Sequence, residues 1–187
     1  ELLMDDVISV PKSSRPQLNA AMRSWLRSDV ISETYSYVII DTSPTQTSLN
    51  EAALSVATHA YIPFIPEPQA VEGLFSIYSR ISIIMSQRSI SDPLFFIGFL
   101  PNMVSRTRLH ASYLNQLKKD GAFGKHIMPV RLARRIAYAE TDSFACQPDQ
   151  VTDMEGSSIE VEAYKFTRYI AKEVKRTMED QEARNHG

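Results

Sequence analysis

Cysteine is nearly absent from this sequence and glycine is scarce. The 187 residues hold one cysteine, Cys146, so a disulfide framework and a cysteine-ligated metal cluster are both excluded. That lone thiol fits a reducing compartment. Six glycines occur and none precedes Gly73, so no glycine-rich phosphate loop can stand ahead of that position. No apolar run approaches the roughly 20 residues that a membrane-spanning helix needs. The histidines His59, His110, His126 and His186 are scattered without metal-ligand spacing, and none is a candidate ligand or base. Ser143 and Cys146 have no visible activating partner and read as structural. The chain opens on Glu1 and shows no signal peptide, which raises the expectation of a processed or truncated protein.

What is present looks globular. The chain is 43% hydrophobic and 22% charged, and its length suits one domain with a sizeable core. A net charge of −2 conceals a strong asymmetry. From Pro101 to Arg135 there are eight basic residues and one acidic, a net of +7, between flanks of −4 and −5. Such a block is either a solvated face or a patch for a polyanion. No aromatic interleaving suggests single-strand stacking, and no helix-turn-helix signature suggests base readout. Non-specific binding to duplex phosphates is the favoured expectation.

Hydrophobic periodicity gives an alternation of strands and helices. Leu18 to Arg27 carries Leu18, Met22, Trp25 and Leu26 at helical spacing. Tyr35 to Ile40 is apolar at successive positions and reads as a strand buried on both faces, ending in Asp41. Leu49 to Thr58 suits a helix, and Ala60 to Ile65 a second strand that Pro63 is expected to end. Gln69 to Met85 is an amphipathic helix, with Glu72 on its exposed side. Leu94 to Leu100 is a third strand, followed by a helix near Leu109 to Lys119 and a short strand at His126 to Met128. Ser157 opens a long final helix, with Val161, Tyr164, Ala171, Val174 and Met178 as its buried stripe. The fold class is therefore α/β with a mostly parallel sheet flanked by helices. In such sheets ligands bind beyond the carboxyl ends of the strands, where Asp41 and the Pro101-Asn102-Met103 turn both fall.

Four apolar residues ending in Asp have the form of a Walker B element, in which a buried strand fixes a carboxylate near magnesium and phosphates. The same pattern also arises where Asp merely caps the next helix. The order of the motifs after Asp41 is more specific. Asp41-Thr42-Ser43-Pro44 is succeeded by Tyr61-Ile62-Pro63-Phe64-Ile65-Pro66-Glu67, Ala70-Val71-Glu72-Gly73-Leu74, Ser105-Arg106-Thr107-Arg108-Leu109 and Met128-Pro129-Val130-Arg131-Leu132. With Glu162-Ala163-Tyr164 in the final helix, this series resembles the ParA branch of the ParA/MinD family of deviant Walker ATPases. There "IDTPP", "IPVxPE", "LEGL", "SRTRL", "IPRxVRLxEAPS" and "AEAYRELAKEV" occur in that order. The resemblance runs from about Tyr35 to Lys175 and departs around Arg134 to Tyr138, by an insertion or by divergence.

The resemblance implies a P-loop-like fold, ATP and Mg2+ as cofactors, and an ATP-dependent homodimer. It implies non-specific double-stranded DNA and a ParB-like or other adaptor protein as partners, with a cytoplasmic, nucleoid-associated location. Asp41 would serve the metal as the catalytic carboxylate, with Thr42 and Pro44 shaping the adjoining segment. Asn102, Met103, Pro129, Val130 and Arg131 would lie near the adenine, although Asn102 equally suits a plain turn. Glu67 and the Glu72-Gly73 turn would lie near the dimer face. Arg106, Arg108, Lys118, Lys119, Arg131, Arg134 and Arg135 would contact DNA phosphates. The family's "KGGxGKT" loop has no counterpart here, so the chain reads as the C-terminal portion of a ParA-like ATPase, lacking roughly the first hundred residues. A non-catalytic DNA- or partner-binding fragment is the alternative, and a MinD-like membrane-associated ATPase is another, since Tyr164 to Arg176 is a basic amphipathic stretch.

Overall fold

The computed structural model describes residues 11–42, 47–135 and 158–185. Pro44, Ser143, Cys146 and His186 lie outside the described residues. Although the sequence reads as one domain, the chain clusters into two units, the first from 1–58 with 84–94 and the second from 59–83 with 95–187.

Helices dominate the first unit. Helix α1 (Arg15–Leu26) has proline in its first turn, where a missing amide costs nothing. Helices α2 (Asp29–Thr34) and α3 (Ser48–Val56) follow. The Thr47 hydroxyl accepts the Asn50 amide at 3.2 Å and so caps α3. Ala52, Ala53 and Val56 bury the inner side of that helix, and Leu94 is buried in the same unit.

The run from Tyr35 to Ile40 does not form the buried strand its composition suggests. It is unpaired, and Tyr37, Val38 and Ile39 are 61%, 46% and 86% exposed. Apolar β-formers become a strand only when a neighbouring strand accepts their backbone hydrogen bonds, and among the described residues this run has no such neighbour; its Tyr35 amide instead closes α2 on the Ile31 carbonyl at 2.9 Å.

The second unit holds the sheet. Strands β1 (His59–Phe64) and β2 (Phe95–Pro101) pair in parallel, joined through α4 (Pro68–Gln87) as a strand–helix–strand crossover. Pro63 does not end β1; it occupies the penultimate place, opposite Leu100. The register slips between Ala60 and Tyr61, which face Phe96 and Gly98, so Ile97 is an extra residue in β2. Gly98 takes φ +143° at this bulge. One consequence is that Phe96 and Phe99 both meet Tyr78 of α4, at ring distances of 5.3 and 5.7 Å.

Phe64, Leu74, Phe99, Leu114, Leu117, Phe123 and Ile127 form the core of this unit. His126 joins it through a 2.8 Å hydrogen bond with the Tyr78 hydroxyl. Burial, then the nearby Lys125 charge, push the His126 imidazole below its ordinary pKa. Residues around His126 to Met128 do not form a full strand, but Ile127 bridges Phe99 and the Met128 amide donates to the Phe99 carbonyl at 2.9 Å.

Helix α5 (Arg108–Lys119) packs Leu114 and Leu117 inward. The last helix, α6 (Ser158–Asn185), buries the expected stripe only in part: Ala171 and Val174 are half-buried, whereas Val161, Tyr164 and Met178 are 46%, 49% and 51% exposed. It turns Phe166 and Thr177 inward instead. Phe166 meets Tyr61 edge-on at 5.6 Å, and the Thr177 hydroxyl lies 2.7 Å from His59 Nε2. That hydroxyl's own proton serves the Glu173 or Val174 carbonyl, so His59 donates. Burial lowers the His59 pKa, in keeping with a neutral ring. No helix among the described residues is long and apolar enough to cross a membrane. The architecture is thus α/β, a parallel sheet flanked by helices, consistent with a P-loop NTPase-like fold.

Candidate functional site

Beyond the carboxyl end of β2 the chain turns sharply and meets a second segment, and this meeting builds the site. The Asn102 amide donates to the Phe64 carbonyl at 2.8 Å, which ties the turn to the end of β1. Its side-chain oxygen accepts the Met103 amide at 2.9 Å, and Met103 sits at φ +48°, uncommon for a residue with a Cβ. Residues 131–135 then run beside 101–104. Leu132 donates to the Pro101 carbonyl at 2.9 Å, Val104 to the Leu132 carbonyl at 3.0 Å, and Arg134 to the Val104 carbonyl at 3.1 Å. Pro129, Val130 and Arg131 are thereby drawn up beside the Asn102–Met103 turn. The structure brings together all five residues expected near a base in this unit.

The next loop is equally fixed. The Thr107 hydroxyl caps α5 by accepting the His110 amide at 3.2 Å. Buried His110 accepts the Ser105 amide on Nδ1 at 3.2 Å, which leaves Nε2 to carry the proton toward Glu67 Oε1, 3.6 Å away. His110 therefore pins the start of this loop from beneath. Sequence reasoning passed over it because a lone histidine carries no spacing signal.

Between the two segments lie adjoining cavities of about 500 and 430 Å3. Arg106, Arg134 and Arg135 line the first, and Arg106, Arg108, Arg131 and Arg135 line the second. Among the described residues, Arg106, Arg108, Arg131 and Arg134 are exposed and make no ion pair. Arg135 differs, because its Nη2 donates to Glu162 of α6 at 2.9 Å. Glu162 is the one acidic residue lining either cavity; the sequence marks it only as part of the Glu162-Ala163-Tyr164 motif and gives it no role at a site.

Lys118 and Lys119 stand apart from this cluster. They occupy the last turn of α5, about 16 Å along the axis from Arg108 at 1.5 Å per residue. Cations there favour the negative end of the helix dipole, which explains them without a ligand. Asp41 and Thr42, in the first unit, are both exposed, and Asp41 ends the unpaired run. Among the described residues no group of three His, Cys, Asp or Glu could share a metal ion.

Comparison with known proteins bears on the family and not on this cleft. A sequence model of an AAA domain family matches residues 10–92. A ParA family protein of Chlamydia trachomatis serovar D is 32% identical over 111 residues, which cover 59% of this chain and 41% of that protein. A ParA family protein of Chlamydia muridarum matches with the same identity and coverage. The chain thus spans about two fifths of the length of the curated relatives it matches. Together with the α/β fold and the ordered motifs, these matches support a family of the ParA/MinD-type Walker ATPases for this chain.

Proposed function

We propose that this chain holds the phosphate backbone of double-stranded DNA through Arg106, Arg108, Arg131 and Arg134, as the DNA-binding part of a ParA-type positioning ATPase. The observation that carries the reading is convergence. Arginines separated by more than twenty residues in sequence meet at one cleft and keep their charges unpaired among the described residues. Guanidinium groups grouped in this way match phosphate oxygens and release counterions on binding. The reading assigns these arginines to phosphate oxygens, which carry no sequence information, so binding is expected to be independent of sequence.

ATP and magnesium belong to the family in general. The described residues do not fit a magnesium triphosphate: Asp41 is exposed on an unpaired segment, and no glycine-rich loop exists among the six glycines. The Asn102–Met103 turn and Pro129 to Arg131 offer a surface for a base, without a glycine-rich loop to wrap a triphosphate. Hydrolysis, the nucleotide-dependent homodimer, a ParB-like adaptor and nucleoid association are therefore read as properties of an assembly that supplies such a loop. In that reading the cargo is a plasmid, a chromosome or a protein body.

Reversing Arg106, Arg131 and Arg134 to Glu tests the DNA reading. Binding to unrelated short duplexes should weaken uniformly, and the slope of log K against log salt should fall by about one for each phosphate that is no longer neutralised. An unchanged slope would leave the cluster as ordinary surface.

A further inference from the structure

The strip 131–135 has two edges, and only one is held by β2. Leu132 and Arg134 direct their amides toward Pro101 and Val104. The Ala133 amide donates to Glu162 Oε2 at 3.1 Å, while Glu162 Oε1 receives Arg135 Nη2 at 2.9 Å. One carboxylate on α6 therefore satisfies the outer edge of the strip, flanking Arg134 on both sides. Its side chain is 23% exposed, and that of Arg135 is 30% exposed. An acidic group here opposes a polyanion on charge alone, so its presence calls for a positional reason.

We infer that Glu162 is a positioning residue of the cleft: its carboxylate anchors the Ala133 amide and Arg135 so that Arg131 and Arg134 are presented in a fixed arrangement. The inference rests on the reading of the cleft as a phosphate-binding surface. Arg135 becomes a strut rather than a phosphate contact, and α6 becomes part of the binding architecture. Ordering the strip before binding spares the entropy of ordering it on the ligand.

Substitution separates anchoring from charge by sign. Glu162→Ala and Glu162→Gln both remove a negative charge, and Coulomb attraction alone makes both bind a short duplex more tightly. Glutamine still offers an oxygen to the Ala133 amide, whereas alanine offers nothing. Anchoring therefore predicts that Glu162→Ala weakens duplex binding about fivefold at fixed salt, while Glu162→Gln, which keeps the Ala133 anchor but not that of Arg135, binds more tightly than Glu162→Ala. Tighter binding by both variants, or no change in either, overturns the inference.

Amide hydrogen exchange in the free chain supplies a reading that needs no DNA. The Ala133 amide should be protected in the unsubstituted chain and in Glu162→Gln, and should exchange rapidly in Glu162→Ala. Rapid exchange at Ala133 in the unsubstituted chain overturns the anchor even if Glu162→Ala fails to fold. Failure of the unsubstituted chain to bind any duplex would refute the DNA reading alone, leaving the anchor to be judged by exchange.

Discussion

Arg88 and Asp92, four residues apart in the loop after α4, form an ion pair, and together they close off the end of α3. The Arg88 Nη2 lies 3.0 Å from Asp92 Oδ1, with an angle that falls short of a hydrogen bond. Its Nε donates to the Asp92 carbonyl at 2.7 Å, and Nη1 reaches the carbonyls of Leu54, Ser55 and Ala57 at 3.3, 2.7 and 3.2 Å. The last carbonyls of a helix have no partner within it, and here one guanidinium supplies several. Asp92 also receives Arg23 and, at 2.7 Å, Arg27. This cluster is a structural clamp within the first unit.

Removing either partner should therefore destabilise that unit. With its side chain only 9% exposed, Arg88→Met strands the Leu54 and Ala57 carbonyls, leaves Ser55 to Arg23 alone and leaves Asp92 short of a charge, at a cost of about 2–4 kcal/mol. Asp92→Asn keeps the shape and should cost about 1–2 kcal/mol. Burial raises the Asp92 pKa, but the Arg23 hydrogen bond and the charges of Arg88, Arg23 and Arg27 outweigh it and hold the carboxyl below its usual range. Its contribution is thus fully present above about pH 4 and is lost as pH falls through the lower folded value. Urea unfolding should show the gap between the two proteins narrowing below pH 4. A gap that widens in acid would mean the charge is not what stabilises the clamp.

Gly98 offers a sharper test of the second unit. A Cβ there would stand 2.5 Å from the His126 carbonyl oxygen and 3.0 Å from Met128 Cγ, on a backbone at φ +143°. Gly98→Ala should cost about 3 kcal/mol or more, since both the clash and the dihedral oppose it. Gly121→Ala is the control: nothing lies within 4 Å of its Cβ position, and the change should stay within about 0.5 kcal/mol. Equal melting temperatures for the two variants would refute the bulge geometry.

Much of this molecule was legible in the sequence, and the failures have physical causes. Apolar spacing of three and four located α1 and α4, although α1 buries no residue and leaves Trp25 58% exposed, and α3 and α5 fall where the sequence suited helices. The face of α6 was misread because its inward side carries Glu162 and Thr177, whose partners are an amide, an arginine and a histidine distant in sequence. Composition revealed the basic block but not its division into a cluster of arginines and two lysines on a helix end. That division depends on the Val104–Ala133 bridge, a contact between residues 29 positions apart. Asp41 was recognisable as a motif. Its surroundings were not, since pairing belongs to a sheet rather than to a strand.

Ile39 is where composition and structure disagree most, and it allows a decisive measurement. The sequence makes Tyr37 to Ile40 a buried strand, in which a lysine at Ile39 would force a charge into the core at a cost of several kcal/mol. The structure leaves Ile39 86% exposed, so Ile39→Lys should change the unfolding free energy by no more than about 0.5 kcal/mol. An extended apolar segment with unpaired backbone groups also invites pairing with another copy. The same substitution should therefore lower light scattering from concentrated solutions, because a charge on such a run opposes edge-to-edge association. A loss of more than about 2 kcal/mol, within the range for core disruption, would show that Ile39 is packed in this chain after all. It would also return Asp41 to the end of a buried strand, where a carboxylate could be held in one place.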